Sequence, residues 1–233
     1  MSLYRIISPL FSTLFPRFSQ LVAARDEQTL AVLYHRSCEV LSVLVLPAAA
    51  FLAFFSREVL LLWTGDPIMA EKTHAIMTVL VIATALQGLM NLPYAVQLAY
   101  GWTRLAFTYN LVSVLVLFPA AYLLTQRWGA IGASLGWMAY NAVGVLVIPS
   151  LMHRRVLRGE QRRFYRDDIG IPLAAAVLTA GCARLLVSDS TRFSTGQLLC
   201  VLLLAAIVIQ TASASAAAGS RSWMRSVIDA VRA

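Results

Sequence analysis

Long apolar runs separated by short polar segments make up almost the whole of this chain. A helix that crosses a membrane needs about 20 mostly apolar residues, and the runs predict about seven such spans. We therefore expect an all-α fold, a polytopic bundle of membrane helices. The predicted spans cover residues 3–23, 38–55, 74–98, 104–125, 129–152, 169–187 and 198–218.

The composition agrees with this pattern. Of the 233 residues, 59% are hydrophobic and 13% are charged, whereas a soluble domain carries about 25% charged residues. The formal net charge of +8 could suggest a nucleic-acid partner. The charged side chains lie in the gaps between apolar runs, however, where they set the orientation of membrane helices. We therefore expect an integral membrane protein that binds no nucleic acid.

The basic residues also predict the orientation of the chain. Most of the 19 lie on the same side as the polar segment 153–168, and the positive-inside rule places that side in the cytoplasm. The C-terminus is then cytoplasmic and the N-terminus external. An external start without a signal peptide suggests that a segment is missing upstream. The predicted divisions are a five-span portion (1–152), an Arg-rich cytoplasmic loop (153–168), a further pair of spans (169–218) and a cytoplasmic interfacial tail (219–233).

Several polar side chains lie inside or beside the apolar spans. Asn91, Gln97 and Asn110 carry amides, and an amide buried without a hydrogen-bond partner costs roughly 1–3 kcal/mol. We expect these three residues to face a partner helix or a watery cavity, and a transport pathway is the resulting hypothesis. Arg17 and Arg104, each within or beside a span, are candidates for the same cavity.

The sequence shows no motif for catalytic chemistry. It contains no nucleotide-binding Gly-rich loop, zinc-ligand spacing or nucleophile elbow. The three histidines, His35, His74 and His153, fall near span ends, and we interpret them as interfacial anchors. Asp167 and Asp168 follow a run of arginines, and we interpret them as local charge compensation. We expect no enzyme activity, no metal site and no cofactor.

The arginines of segment 153–168 have two interpretations. They can fix the orientation and attract anionic lipid, at about 1 kcal/mol per basic residue near the surface. Alternatively, they can recognise a phosphate-bearing substrate, because guanidinium groups bind phosphate through two parallel hydrogen bonds. The sequence leaves both open and favours the first.

Gly132 and Gly136 form a pair of small residues four positions apart in the predicted fifth span. This spacing puts both on one face of a helix, where a second helix can approach closely. We expect a packing seam at this face.

Four motifs carry a resemblance to a known family. They are FPRFSQL (15–21), LWTG (62–65), LPYAVQLAYG (92–101) and WGAIGA (128–133). They recur in this order in bacterial polysaccharide-biosynthesis membrane proteins. The chain therefore resembles the Wzx-type oligosaccharide flippases of the multidrug/oligosaccharidyl-lipid/polysaccharide exporter superfamily. The resemblance covers roughly residues 1–165.

The resemblance implies a fold and a function. Such flippases are similar to two six-helix bundles that face each other across a cavity, some with two further helices. They pass an undecaprenyl-diphosphate-linked sugar across the bacterial inner membrane during surface polysaccharide or O-antigen biosynthesis. Spans one to five match the second bundle, and spans six and seven match the extra pair. We expect the chain to be a C-terminal portion, incomplete in transport without a missing half or partner subunit.

The resemblance also implies roles for individual residues. A cavity lined by cations and amides suits a diphosphate and sugar hydroxyls, and membrane lipids surround the bundle. Pro47 and Pro93 are candidate hinges, because proline removes a helix hydrogen bond, although a static kink is an equal alternative. The candidate path residues are Arg17, Asn91, Gln97, Arg104, Asn110 and Asn141.

Three alternatives to the oligosaccharide flippase stay open. One is a multidrug or peptidoglycan-precursor exporter of the same fold. The multidrug exporter is disfavoured because no carboxylate is predicted deep in a span, Glu39 being the nearest. Another is a membrane subunit that transports nothing. The third, a membrane enzyme such as a sugar polymerase, needs a large external loop, and the predicted external loops are short.

Overall fold

The computed structural model describes residues 2–187 and 195–217, with side chains described for 10–187 and 196–217. Over these residues the fold is all-helical, and a π-helix (Phe164–Gly170) links α7 to α8. The predicted tail over 219–233 lies outside the described residues. The helices are α1 (Ser2–Ala23), α2 (Glu27–Phe54), α3 (Ser56–Thr64), α4 (Pro67–Leu89), α5 (Asn91–Ala99), α6 (Arg104–Arg155), α7 (Gln161–Arg163), α8 (Ile171–Leu186) and α9 (Thr195–Ala217).

Five helical segments in the described part of the chain are long and apolar enough to cross a membrane. The predicted polytopic bundle of membrane helices is therefore confirmed. The predicted first span, α1, is not among the five, whereas two of the predicted spans fall within the single segment α6. The five segments are Glu27–Phe54, Pro67–Ala99, Arg104–Arg155, Gln161–Leu186 and Gly196–Ala217.

Helix α6 is a hairpin. Its 52 residues would extend about 78 Å if straight, more than twice the roughly 30 Å of a hydrocarbon core. Gly129 interrupts it with φ 60° and ψ −141°, a conformation that glycine adopts at little steric cost. The rings of Tyr109 and Tyr140, 31 residues apart, consequently lie 5.3 Å apart between centroids. Two antiparallel arms result, a first arm over 104–128 and a second arm over 130–155.

The predicted glycine seam lies between these two arms. A Cβ on Gly132 would overlap the backbone carbonyl of Leu124 in the first arm. A Cβ on Gly136 would meet the Leu124 side chain at 3.6 Å, an ordinary contact. The close approach that the spacing predicts is therefore made within one hairpin, and Gly132 is the position that requires it.

Local capping sets where several helices begin. The side chain of Asp26 accepts a hydrogen bond from the Thr29 N–H and starts α2. Asp66 accepts from the N–H groups of Ile68 and Met69, and Pro67 occupies the first turn of α4. Both aspartates satisfy N–H groups that have no partner within the helix.

Helix α2 is the central element of the bundle. On one side it packs with α4 and the π-helix in a core that includes Tyr34, Leu41 and Phe164. On the other side it packs with α8 and α9 through a second core that includes Ala176 and Leu202. The last two helices are therefore joined to the rest of the bundle mainly through α2.

Two buried prolines lie at contacts between helices. A proline inside a helix leaves the carbonyl four residues earlier without its N–H partner. Pro47 leaves the Val43 carbonyl without this partner, and that carbonyl accepts a hydrogen bond from Gln210 Nε2 of α9 at 2.8 Å. Pro149 does the same to the Val145 carbonyl, which accepts a hydrogen bond from the Tyr165 hydroxyl at 2.7 Å.

The second hinge candidate, Pro93, is the third residue of α5. N–H groups in the first turn of a helix lack intrahelical partners in any case, so a proline is tolerated there. The helix break lies just before it, at Met90, between α4 and α5. The roles of Pro47 and Pro93 in motion stay predictions.

The segment 153–168, predicted as an Arg-rich cytoplasmic loop, is mostly helical in its backbone, and its cytoplasmic location stays a prediction. Helix α6 continues to Arg155, and helix resumes at Gln161 after five residues. The arginines that suggested a loop lie on the exposed face of this helical segment, whereas Phe164 and Asp168 on its other face are buried. The segment is therefore amphipathic, although its run of arginines suggests a wholly exposed one.

Candidate functional site

A groove of about 310 Å³ lies between α4, α5 and the two arms of α6. It forms because the short turn over 100–103 leads the chain from α5 directly into the first arm. Gly144 of the second arm leaves room there for the Tyr109 hydroxyl, which an added Cβ would meet at 3.0 Å. The lining residues are Gln87, Met90, Asn91, Tyr94, Gln97, Ala106, Tyr109, Asn110, Tyr140, Asn141, Gly144 and Ile148.

Four of the six candidate path residues line this groove, namely all the amides: Asn91, Gln97, Asn110 and Asn141. The two arginines do not line it. Arg17 is exposed on α1 and donates to Gln20 Oε1 at 3.2 Å, and Arg104 is exposed at the start of α6. The structure therefore brings the amides together and leaves the guanidinium groups outside.

Gln97 is the least satisfied residue of the groove. Its side chain is fully buried, and neither Oε1 nor Nε2 has a hydrogen-bond partner among the described residues. Buried polar groups are hydrogen-bonded in the great majority of cases, and an unpaired amide costs roughly 1–3 kcal/mol. Because the side chain has no exposed surface, a ligand or water in the groove can supply the missing partners only after the side chain rotates towards the groove.

Two tyrosines tie the arms of α6 together across the groove. The Tyr109 hydroxyl donates to the Tyr140 carbonyl at 2.6 Å, and the Tyr140 hydroxyl donates to Asn110 Oδ1 at 2.8 Å. Asn110 is thus held through its oxygen, and its Nδ2 group makes no hydrogen bond with another described residue. It can donate to a ligand.

Asn91 and Asn141 differ from Asn110, because their amide nitrogens are engaged and their oxygens accept no hydrogen bond from another described residue. Asn91 Nδ2 donates to the carbonyls of Gln87 and Gly88 at the end of α4, at 3.2 and 3.1 Å. Asn141 Nδ2 donates to the Trp137 carbonyl at 2.8 Å. With their nitrogens engaged, these two amides can offer oxygen acceptors. The groove therefore combines acceptors, donors and phenol rings, and none of its described lining residues is charged.

The comparison with known families agrees with a membrane transporter. The MatE family model matches residues 4–123, just over half of the chain. The chain belongs to the MatE family. This family lies in the exporter superfamily that includes the Wzx-like flippases, and its members are transporters. No curated protein and no solved structure matches the chain.

The part of the chain that matches the MatE model contains most, but not all, of the groove. It includes α4, α5 and most of the first arm of α6, hence Asn91, Gln97 and Asn110, and stops before Asn141 in the second arm. A multi-pass membrane location follows from the family and from the apolar helices together.

This MatE chain also holds buried ionisable residues that the sequence did not reveal. His35 Nδ1 lies 2.5 Å from Asp168 Oδ2, and His35 Nε2 lies 3.0 Å from Glu160 Oε2 without the alignment of a hydrogen bond. His153, also buried, contacts the Tyr34 ring. Both rings are buried between helices of the bundle, rather than exposed to lipid as an interfacial anchor would be, and their depth in the membrane stays a prediction.

Two carboxylates are buried as well. Asp168 lies in the polar first part of the segment Gln161–Leu186, and Glu58 lies in α3, outside the five apolar segments, where it pairs with Arg184 at 2.6 Å. Neither lies deep in a span, as the sequence predicts. Glu58 and Arg184 are 126 residues apart in the sequence, and His35 and Asp168 are 133 apart, so no local spacing predicts either pair. Among the described residues, no group of three or more His, Cys, Asp or Glu side chains is arranged to hold a metal ion.

Proposed function

We propose that this chain forms one wall of a path along which a lipid-linked oligosaccharide crosses the bacterial inner membrane. The groove receives the sugar. The observation that carries the proposal is Gln97, a buried amide whose donors and acceptor lack partners and which lines the groove. A polar ligand that this amide met after a change of rotamer would satisfy both its oxygen and its nitrogen.

The chemistry of the groove fits sugar. A sugar ring has hydroxyl groups at its edge, which both donate and accept hydrogen bonds, and C–H groups on its faces. The Asn110 amide can donate, Asn91 and Asn141 can accept, and the phenol rings of Tyr94 and Tyr140 offer faces for packing. The absence of charge in the lining favours a neutral polar group over a drug cation.

The lipid part of the substrate has a place beside the groove. Next to the lining residues Ala106 and Asn110, the first arm exposes Phe107, Leu111 and Leu115, each at least half exposed. A polyprenyl chain can lie along this apolar surface within the bilayer while the sugar occupies the groove. A second bundle facing the open groove would form the opposite wall, since carriers work by moving one half against the other.

A multidrug exporter of the same fold is the second candidate. The buried carboxylates Glu58 and Asp168 could serve ion coupling, but both are paired and neither lines the groove. A peptidoglycan-precursor exporter shares the polyprenyl diphosphate and sugar chemistry. These candidates differ in the sugar and in the charge of the ligand, so binding separates them.

The test is equilibrium binding to the purified chain in lipid nanodiscs. The ligands are a polyprenyl-diphosphate-linked oligosaccharide, the polyprenyl diphosphate alone, the peptidoglycan precursor and the cationic dye ethidium. We expect the oligosaccharide to bind best. We expect Asn110→Leu and Gln97→Leu each to weaken it about tenfold, the loss of one or two hydrogen bonds to a desolvated ligand.

Gln126→Leu is the matched control, because Gln126 is an exposed amide outside the groove. It should leave binding unchanged. Binding of ethidium in preference to the oligosaccharide would support the exporter of drugs. Equal affinity for the polyprenyl diphosphate with and without the oligosaccharide would contradict the proposal that the groove binds the sugar.

A further inference from the structure

A second concave site lies at the end of the second arm of α6, where the chain turns towards α8. It is an open cleft of about 560 Å³. None of its lining residues is shared with the groove. The cleft is lined by His153, Arg154, Arg158, Gly159, Gln161, Arg162 and Tyr165.

Three arginines of this cleft have no counter-charge. Arg154, Arg158 and Arg162 are exposed, and none forms an ion pair with another residue in the described part of the chain. Two neighbouring arginines, in contrast, each contact another side chain. Arg155 lies 4.7 Å over the Trp102 ring, and Arg166 lies 3.7 Å from Asp167. No acidic residue is among the described lining residues of the cleft, and the carboxylate of the adjoining Glu160 lies 3.0 Å from His35 Nε2 instead of pairing with an arginine.

The cleft is held in shape by partly buried hydrogen bonds rather than by its arginines. Gln161 Nε2 donates to Ser150 Oγ at 3.0 Å. The Tyr165 hydroxyl donates to the Val145 carbonyl that Pro149 leaves open. Gln161 and Tyr165 therefore fix the segment that follows the turn against the second arm, on either side of Arg162.

The turn itself brings the arginines to one place. Leu157 and Gly159 have φ of 54° and 89°, a left-handed conformation that is costly for leucine and easy for glycine. Leu157 is buried, so packing holds it in that conformation. The result is that Arg154 before the turn and Arg158 and Arg162 after it line the same cleft.

The position of the cleft between two membrane-spanning segments indicates a place at the level of the lipid headgroups. It joins the end of the segment Arg104–Arg155 to the start of the segment Gln161–Leu186, and both segments are long and apolar enough to span the membrane. Polar ends of membrane helices lie in the headgroup region. An anion held here would therefore reach the cleft from the membrane surface.

We propose that this cleft is a binding site for the headgroup of a lipid that carries a phosphomonoester or diphosphate. Guanidinium groups bind phosphate oxygens through paired, charge-assisted hydrogen bonds, and three of them match a group with more than one negative charge. A singly charged phosphodiester lipid satisfies fewer of them. The site is independent of the ligand of the groove, because it requires phosphate and no sugar.

The experiment measures binding of short-chain lipids to the purified full chain in zwitterionic detergent micelles. The probes are dioctanoyl phosphatidic acid, dioctanoyl phosphatidylglycerol and inorganic pyrophosphate. We expect phosphatidic acid to bind about tenfold more tightly than phosphatidylglycerol, given the extra charge and oxygen that the guanidinium forks can engage. Pyrophosphate, which lacks the lipid, should bind more weakly than phosphatidic acid.

The variants separate a shaped site from general attraction to an anionic surface. Arg158→Lys and Arg162→Lys keep the charge and lose the planar fork, so each should abolish the preference for phosphatidic acid. Arg36→Lys is the matched control, because Arg36 is exposed and adjoins His35, which contacts Glu160 at the same end of the bundle. It should leave the preference intact.

Three results would overturn the proposal. Equal affinity for the two lipids, or an equal effect of Arg36→Lys, would mean surface attraction alone. Pyrophosphate binding as tight as that of phosphatidic acid would assign the site to a free anion instead of a lipid. Because the arginines are exposed, the variants should keep the helical circular dichroism and thermal transition of the parent chain.

Discussion

Gln210 donates a hydrogen bond from Nε2 to the carbonyl oxygen of Val43 at 2.8 Å. That carbonyl stands four residues before Pro47 and has no N–H partner within α2. A single contact thus satisfies a backbone group that the proline opened and joins α9 to the central helix. In the bilayer, where water is absent, an open carbonyl of this kind is expensive to leave unpaired.

The first prediction is a coupling between Gln210 and Pro47. Gln210→Leu should destabilise the chain by about 1 kcal/mol, the usual range for a hydrogen bond between membrane helices. Pro47→Ala restores the backbone N–H that the Val43 carbonyl lacks. In that background Gln210→Leu should cost clearly less, as measured by thermal unfolding in detergent in a double-mutant cycle. An equal cost in both backgrounds would mean that Gln210 acts elsewhere.

The second prediction compares two glycines one helical turn apart. Gly132→Ala places a Cβ against the Leu124 carbonyl and should destabilise the hairpin by about 2 kcal/mol or more, because backbone must shift. Gly136→Ala, with its nearest contact at 3.6 Å, should change stability by less than about 0.5 kcal/mol. Thermal unfolding in detergent measures both. Similar losses for the two variants would contradict the described packing of the arms.

The third prediction concerns the buried pair of His35 and Asp168. Asp168→Ala removes a partner from a buried ionisable group, a change that costs about 3–5 kcal/mol in measured cases. Asp167→Ala, at the exposed neighbouring position, should cost less than about 1 kcal/mol. Chemical unfolding of the two variants in the same detergent decides the matter. The pairing would be refuted as a stabilising contact if both aspartates could be removed with equal ease.

The sequence predicts the groove for a physical reason. Asn91, Gln97 and Asn110 lie on two apolar segments joined by the turn over 100–103, and lipid does not accept their amides. Close connection and shared polarity suffice to place them together. Arg17 and Arg104 satisfy the same compositional test, but Arg17 lies on an exposed face of α1 and Arg104 at the exposed start of α6, and neither is among the described residues that line the groove.

The other contacts of the fold have no local pattern in the sequence that predicts them. The contact of Gln210 with Val43 spans 167 residues and that of His35 with Asp168 spans 133, so neither leaves a periodic trace in the sequence. In the segment 161–168 the arginines outnumber the buried positions, Phe164 and Asp168, so the sequence pattern suggests a loop where the structure has helix. Only the tertiary packing shows which face of that helix is covered.

The most direct test of the proposed path uses a lipid-linked oligosaccharide that carries a photoreactive diazirine on its sugar. After illumination in nanodiscs, cross-linked peptides are mapped by mass spectrometry, with excess unlabelled oligosaccharide as competitor. The account predicts competed cross-links on α5 and the second arm of α6, at Tyr94 and Tyr140 in particular. Cross-links confined to α8 and α9, or unaffected by the competitor, would contradict it.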